Sequence, residues 1–220
     1  MIDYTFQWGP VIKAWPALAQ GALLTIEITV LSMLIGLGAA LPLALWRRSR
    51  NRLAHGFATA WVELARNTPA LLQIYLTYFG LGAFGLHLDA YTAVLAAVAF
   101  NNAGYLTEIV RGGLESMSPQ QRSAALSLGM TQVQAYRHII FPQVLRIVFL
   151  PTMNQVVWAM LGSSLGMIIG LDELTGATAF QQSLTFRPFE FYFVAAVAYY
   201  VLAKAIILSA RGVATRLFRY

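Results

Sequence analysis

The residues of this chain able to do chemistry are few, and most stand in apolar surroundings. Glu27 sits in "GALLTIEITVLSMLIGLGAALPLAL", roughly 9 Å inside the outer end of that stretch by helical rise. Gln73, Asn101, Asn102 and Asn154 occupy comparable settings further on, and Ser163 and Ser164 follow the last of them. An ionisable group in an apolar span is costly and marks a pathway or an interface unless it reaches water. Amides at such depth need partners, which neighbouring helices or a passing polar solute can provide. Glu63/Arg66 and Glu108/Arg111 are spaced i, i+3 and are expected to pair as structural pins. Lys204 is expected to extend its ammonium toward water. His55, His87 and His138 are too scattered for a metal site, and cysteine is absent. With two lysines and no Gly-x-x-x-x-Gly-Lys-Ser/Thr, the chain has no nucleotide phosphate loop of its own.

The elements that must position these groups are membrane helices. Of 220 residues, 58% are hydrophobic and 11% charged, where a soluble domain carries about 25% charged residues. The pattern predicts an all-α integral membrane protein, one domain over 1–220, with about five transmembrane helices near 21–45, 58–84, 89–111, 139–161 and 189–210. Pro69, Pro142 and Pro151 interrupt the second and fourth. The start "MIDYTFQWGP" has no basic run, so a cleaved signal peptide is not expected. With five spans, Arg47, Arg48, Arg50, Arg52, Arg111, Arg122, Arg137, His138, Arg211, Arg216 and Arg219 fall on one side, and Lys13 and Arg187 on the other. Positive charge collects on the cytoplasmic face, which puts the N-terminus outside and the C-terminus inside. Topology thus explains the excess of 15 basic over 9 acidic residues without a nucleic-acid partner.

The loop 112–138 is expected to be cytoplasmic. Ser118, Pro119 and Gln121 read as N-cap, first helical residue and capping-box partner of a helix running to about Leu128. Gly129 suits the left-handed residue that ends it. Thr131 and Gln134 form a second capping box, and Val133, Tyr136 and Ile140 recur at i, i+3, i+7 on one face. Two short helices meeting at a bend cannot bury such a stripe alone. They lie on the lipid surface or dock in a partner's groove.

Ala124-Ala125, Gly129 and the Ile139-x-Phe141-Pro142 that follows resemble the "EAA" loop of binding-protein-dependent ABC importer permeases. Arg66-Asn67-Thr68-Pro69, "YLTEIVRGG" at 105–113, and Asn154 followed by Ser163-Ser164-Leu165 are similar to segments of the polar amino acid branch of that family (histidine-, glutamine- and arginine-type systems). Ser123 stands where the family keeps a glutamate, Gln120-Gln121 where it keeps Gly-Gln, and Leu161 and Gly162 where it keeps a lysine and an acid. The resemblance implies a type I importer permease fold in the bacterial inner membrane. It implies a transport subunit and no enzyme, forming half of a path for polar amino acids. Its partners would be a second permease subunit, identical or homologous, two ATP-binding subunits carrying the ATP and Mg, and an extracytoplasmic solute-binding protein. No cofactor is expected on this chain. Ser123, Ala124, Ala125, Gly129, Tyr136, Ile139 and Pro142 would form the ATPase-coupling loop. Glu27, Gln73, Asn101, Asn154, Ser163 and Ser164 are the expected path residues, with Glu27 and the serines favouring the ammonium end of the substrate. An ion-coupled carrier would show more acids at mid-depth and no docking loop. A non-transporting scaffold would not need polar residues at matching depths in several spans.

Overall fold

Helix α5 (Ala90–Glu115) is the axis of the bundle in the computed structural model, which describes residues 4–218. Before it come α1 (Gly9–Lys13), α2 (Trp15–Trp46), α3 (Arg52–Asn67) and α4 (Ala70–Tyr75), the last continuing into a π-helical turn at Leu76–Gly80. After it come α6 (Pro119–Ser127) and α7 (Gln132–Ala135), a π-helical turn at Tyr136–Ile140, then α8 (Phe141–Ser163) with a 3-10 turn at Ser164–Ile169. Finally come α9 (Leu174–Thr185) and α10 (Pro188–Leu217). No strand occurs among the described residues.

Four stretches are long and apolar enough to cross a bilayer: α2, α5, Gln132–Ile169 and α10. The span expected at 58–84, interrupted at Pro69, is two separate helices. Thr68 precedes a proline and takes the extended conformation, which ends α3, and α4 restarts after Pro69. The other spans outrun their apolar windows. The first begins at Trp15 rather than 21, and the last reaches Leu217 rather than 210. The fourth is continuous with the loop from Gln132. Backbone hydrogen bonding continues wherever a helix is capped or packed, whatever the polarity of its side chains. Arg219 lies outside the described residues.

Small residues let the helices close on α5. A Cβ at Gly36 of α2 would lie 2.7 Å from the Asn102 Cβ, and one at Gly104 would lie 2.5 Å from the Ala65 Cβ of α3. Such close approach gives dispersion contact where lipid offers no hydrophobic drive. The core around it joins Ile28, Ile74, Val94, Ala97, Leu106 and Ala159. A second cluster, Val11, Leu18, Ala177 and Phe191, holds the far end of α2. There Tyr91, in the first turn of α5, donates to Glu27 Oε1 at 2.7 Å. Glu27 is twelve residues into α2, so α2 projects roughly 18 Å past that contact. The projecting part is packed by α9 and the start of α10.

Of the two expected pins, Glu108 and Arg111 pair at 2.8 Å. Glu63 does not pair with Arg66. Arg66 turns to α5 instead, 3.4 Å from Glu108 and over the Tyr105 ring. Lys204 is exposed and rests over the Tyr200 ring, 5.4 Å from its centroid.

Candidate functional site

The bent loop after α5 is built by local chemistry on one side and a distant contact on the other. Gly129 has φ +82°, in the left-handed region. The Met130 N–H bonds to Ala125 O and the Gly129 N–H to Leu126 O, so a Schellman motif closes α6. Thr131 Oγ1 accepts from the Gln134 N–H, and Gln134 Oε1 accepts from the Thr131 N–H at 2.8 Å, forming the second capping box. The first box does not form. Ser118 is the N-cap by backbone but caps no N–H, and its hydroxyl bonds to Gln120. Gln121 reaches α8 instead, donating to Gln143 Oε1 at 3.1 Å.

The expected face of α7 also changes. The Phe141 N–H reaches Tyr136 O, five residues back, and Pro142 has no N–H to give. The wider turn breaks the α-helical period. Ala135 and Ile140 are buried, whereas Val133 and Tyr136 are exposed. Ala125 is buried and Ile139 half-buried, while Ser123, Ala124, Gly129 and Pro142 are open. Leu128, 82% exposed, joins Val133 and Tyr136 as an uncovered apolar surface at the bend.

Towards mid-depth the amides divide into two sets. One repairs the break at Pro69. Ala65 O accepts from Gln73 Nε2 at 3.0 Å and from Asn101 Nδ2 at 2.8 Å, and Gln73 Nε2 also donates to Thr68 Oγ1 at 2.9 Å. The carbonyls freed by the proline are thereby satisfied. The other set crosses the bundle: Gln155 Nε2 donates to Asn102 Oδ1 at 2.9 Å, and Asn102 Nδ2 to Ser32 Oγ at 3.2 Å.

Between the start of α4, α5 and α8 lies a cavity of about 790 Å³. Asn101, Asn102, Tyr105, Asn154, Gln155, Trp158 and Ser164 give it polar and aromatic walls, and no charged residue lines it. Leu161 and Gly162 also line it. Asn154 and Trp158 are exposed, leaving that face of α8 uncovered by the rest of the chain.

The expected path residues separate here. Asn101, Asn154 and Ser164 line the cavity. Gln73 is buried behind Asn101, donating its amide to the α3 break and accepting from Asn101 Nδ2 at 3.1 Å. Ser163 is buried with its hydroxyl on Met160 O, and Glu27 stands away from the cavity on Tyr91. The geometry therefore brings no carboxylate to the cavity. Two acids among the described residues are fully buried instead, Glu190 in the first turn of α10 and, at the N-cap of α9, Glu173. Glu173 accepts from the Gly176 N–H at 2.8 Å, the Thr175 N–H at 3.0 Å, Tyr199 Oη at 2.7 Å and Thr25 Oγ1 at 3.3 Å. Sequence reasoning missed it because it stands outside any apolar run. Tyr105 and Trp158 were missed too, although each follows a cavity amide by four residues, a spacing that shares one helix face.

The sequence matches the family described as binding-protein-dependent transport system inner membrane component over residues 14–219. It is 37% identical over 225 residues to the octopine transport system permease protein of Rhizobium meliloti, covering 98% of this chain and 87% of that protein. It is 31% identical over 214 residues to the glutamine transport system permease protein of Escherichia coli, covering 96% and 98%. An amino acid ABC transporter crystallised with histidines superposes with a TM-score of 0.91 at 32% identity, over 97% of this chain and 100% of that one. The inward-facing MetNI methionine ABC transporter shares the fold, with a TM-score of 0.74 at 17% identity over 91% and 95%. The type I permease fold, the multi-pass helices and the match across nearly its whole length make this chain a member of the binding-protein-dependent transport system inner membrane component family.

Proposed function

We propose that this chain is the permease subunit of an ATP-driven importer of polar amino acids and forms half of the translocation path. The observation that carries this reading is mechanical. The cavity is walled by α5 and α8, and these same helices hold the bent loop, α5 leading into it and α8 out of it. A displacement at the bend therefore reaches the cavity walls through two rods. Binding-protein-dependent relatives that move octopine and glutamine support the substrate class. The apolar patch of Leu128, Val133 and Tyr136 is the proposed seat on a separate ATP-hydrolysing subunit, which carries the ATP and Mg. Ser123, Ala124, Ala125, Gly129, Ile139 and Pro142 shape that seat. The uncovered α8 face would meet a second permease subunit across the path. A solute-binding protein would deliver the amino acid on the opposite side. Asn101, Asn154 and Ser164 would present amide and hydroxyl dipoles to the substrate's ammonium and carboxylate, which need partners once they leave water. The arginine-rich end is cytoplasmic in this reading and the N-terminus is outside.

Uptake into vesicles carrying the assembled importer tests the mechanism. A β-branched residue is strained at a positive φ. Gly129→Val should cut ATP-driven uptake of labelled amino acids by about tenfold or more, since a strain of ~1–2 kcal/mol at the bend displaces the docking patch. ATP hydrolysis by the complex should continue. Asn154→Leu should lower uptake and leave subunit assembly intact. Full uptake by Gly129→Val would remove the bend from coupling. Orientation is tested by single cysteines: Ser49→Cys should react with an impermeant reagent only from the cytoplasm, and Gln182→Cys only from outside. Labelling of Ser49→Cys in intact cells would invert the topology.

A further inference from the structure

The turn after α2 carries Arg47, Arg48, Arg50 and Arg52 within six residues. Arg47 alone is engaged, paired with Glu108 of α5. Arg48, Arg50 and Arg52 are exposed and make no ion pair among the described residues. The turn that presents them is fixed. Ser49 Oγ accepts from the Asn51 N–H at 3.1 Å, Asn51 Oδ1 accepts from the Leu53 N–H at 2.9 Å, and the His55 ring bonds to Arg47 O at 2.8 Å.

Beside these cations the chain exposes apolar surface. Leu45 is 70% exposed and Leu53 85%. The Trp46 and Phe57 rings meet edge-on with centroids 5.8 Å apart. With Ala54 they shape a shallow groove of about 290 Å³. An indole ring at the end of a span sits at headgroup depth. Exposed arginines in the same turn as an apolar groove at that depth fit an amphiphile with an anionic head. They do not fit a free anion, which would leave the groove empty.

Position argues against a protein occupant. Glu108 is level with Arg47, and α5 continues seven residues past it to Glu115 before the bent loop begins. That is roughly 10 Å of helix, so a partner seated on the loop stands further from the lipid than the arginine turn does. We propose that the turn between α2 and α3 binds an anionic phospholipid. Its phosphodiester lies among Arg48, Arg50 and Arg52, and an acyl chain lies along Trp46 and Phe57. The site rests on membrane insertion alone and stands whichever solute the path carries.

The test uses the full chain with its co-purifying subunits in mild detergent, where both faces are accessible. Phosphatidylglycerol or phosphatidylcholine of identical chains is added, and retained lipid is measured by native mass spectrometry. Phosphatidylglycerol should be retained at least tenfold better. Each of Arg48→Gln, Arg50→Gln and Arg52→Gln should lower its retention roughly fivefold, the effect of one juxtamembrane arginine at an anionic surface. Phe57→Ala should weaken both lipids. Higher salt should weaken phosphatidylglycerol binding to the unaltered protein, a readout that needs no variant. Equal retention of the two lipids would overturn the proposal, as would competition by inorganic phosphate at equal concentration. So would arginine variants that lose an ATPase subunit and keep their lipid.

Discussion

The carboxylates at the two ends of the bundle are held by opposite means. At the arginine-rich end, Glu108 gathers Arg47 from the end of α2, Arg66 from α3 and Arg111 from its own helix. At the other end, Glu173 joins α2, α9 and α10 through two backbone N–H groups and two hydroxyls, with no cation. Glu190 follows the second pattern, with the Tyr4 hydroxyl and the Gln7 N–H as close donors and Arg187 only at 4.0 Å. The difference follows from where the cations are. The arginine-rich end can surround one acid with guanidiniums that remain partly in water. The other end has few cations, so it buries the acid and supplies neutral donors. A charged cluster with three partners can lose one and keep two. A buried carboxylate that caps a helix has no substitute.

The comparison predicts that burial outweighs charge. Glu173→Ala strands two backbone N–H groups at the start of α9, each costing about 1–3 kcal/mol when buried and unpaired. A total loss of roughly 4 kcal/mol is expected, read as a large fall in thermal unfolding temperature in detergent. Glu173→Gln keeps one acceptor oxygen and should recover about half of that. Glu108→Ala should cost less, about 2 kcal/mol, because Arg47, Arg66 and Arg111 are 21%, 40% and 33% exposed and can turn to water. A larger loss for Glu108→Ala than for Glu173→Ala would reverse the comparison. The smallest effect is that of salt. Raising it from about 0.1 M to 1 M should destabilise the protein by less than about 1 kcal/mol through the arginine cluster, and Glu108→Ala should remove that dependence. A salt response that survives in Glu108→Ala would place the screened charges elsewhere.

Features set by neighbours in the chain were legible in the sequence. The break before Pro69, the left-handed Gly129 and the Thr131 capping box are each decided within about four residues. The Ser118 box read equally well and failed, because Gln121 found Gln143 on another helix. The stripe Val133, Tyr136, Ile140 failed because a π-helical turn, with more residues per turn, gives less rotation per residue and throws its members out of phase. Glu27 stands out as an acid in an apolar run, whereas the fully buried acids, Glu173 and Glu190, sit at helix starts.

Adjacent amides show where sequence stops and tertiary structure begins. Asn101 serves the broken α3 and Asn102 the chain from Gln155 to Ser32; Asn154 opens to the cavity and Gln155 bonds inward while still edging it. The residue types determined by themselves that this chain lies in a membrane, that its helices break at 68–69 and bend at 129, and that one end is cationic. Which amide faces a helix and which faces the cavity was decided only by packing. One helix step turns a side chain through about 100°, and the partner it then meets comes from a helix tens of residues away.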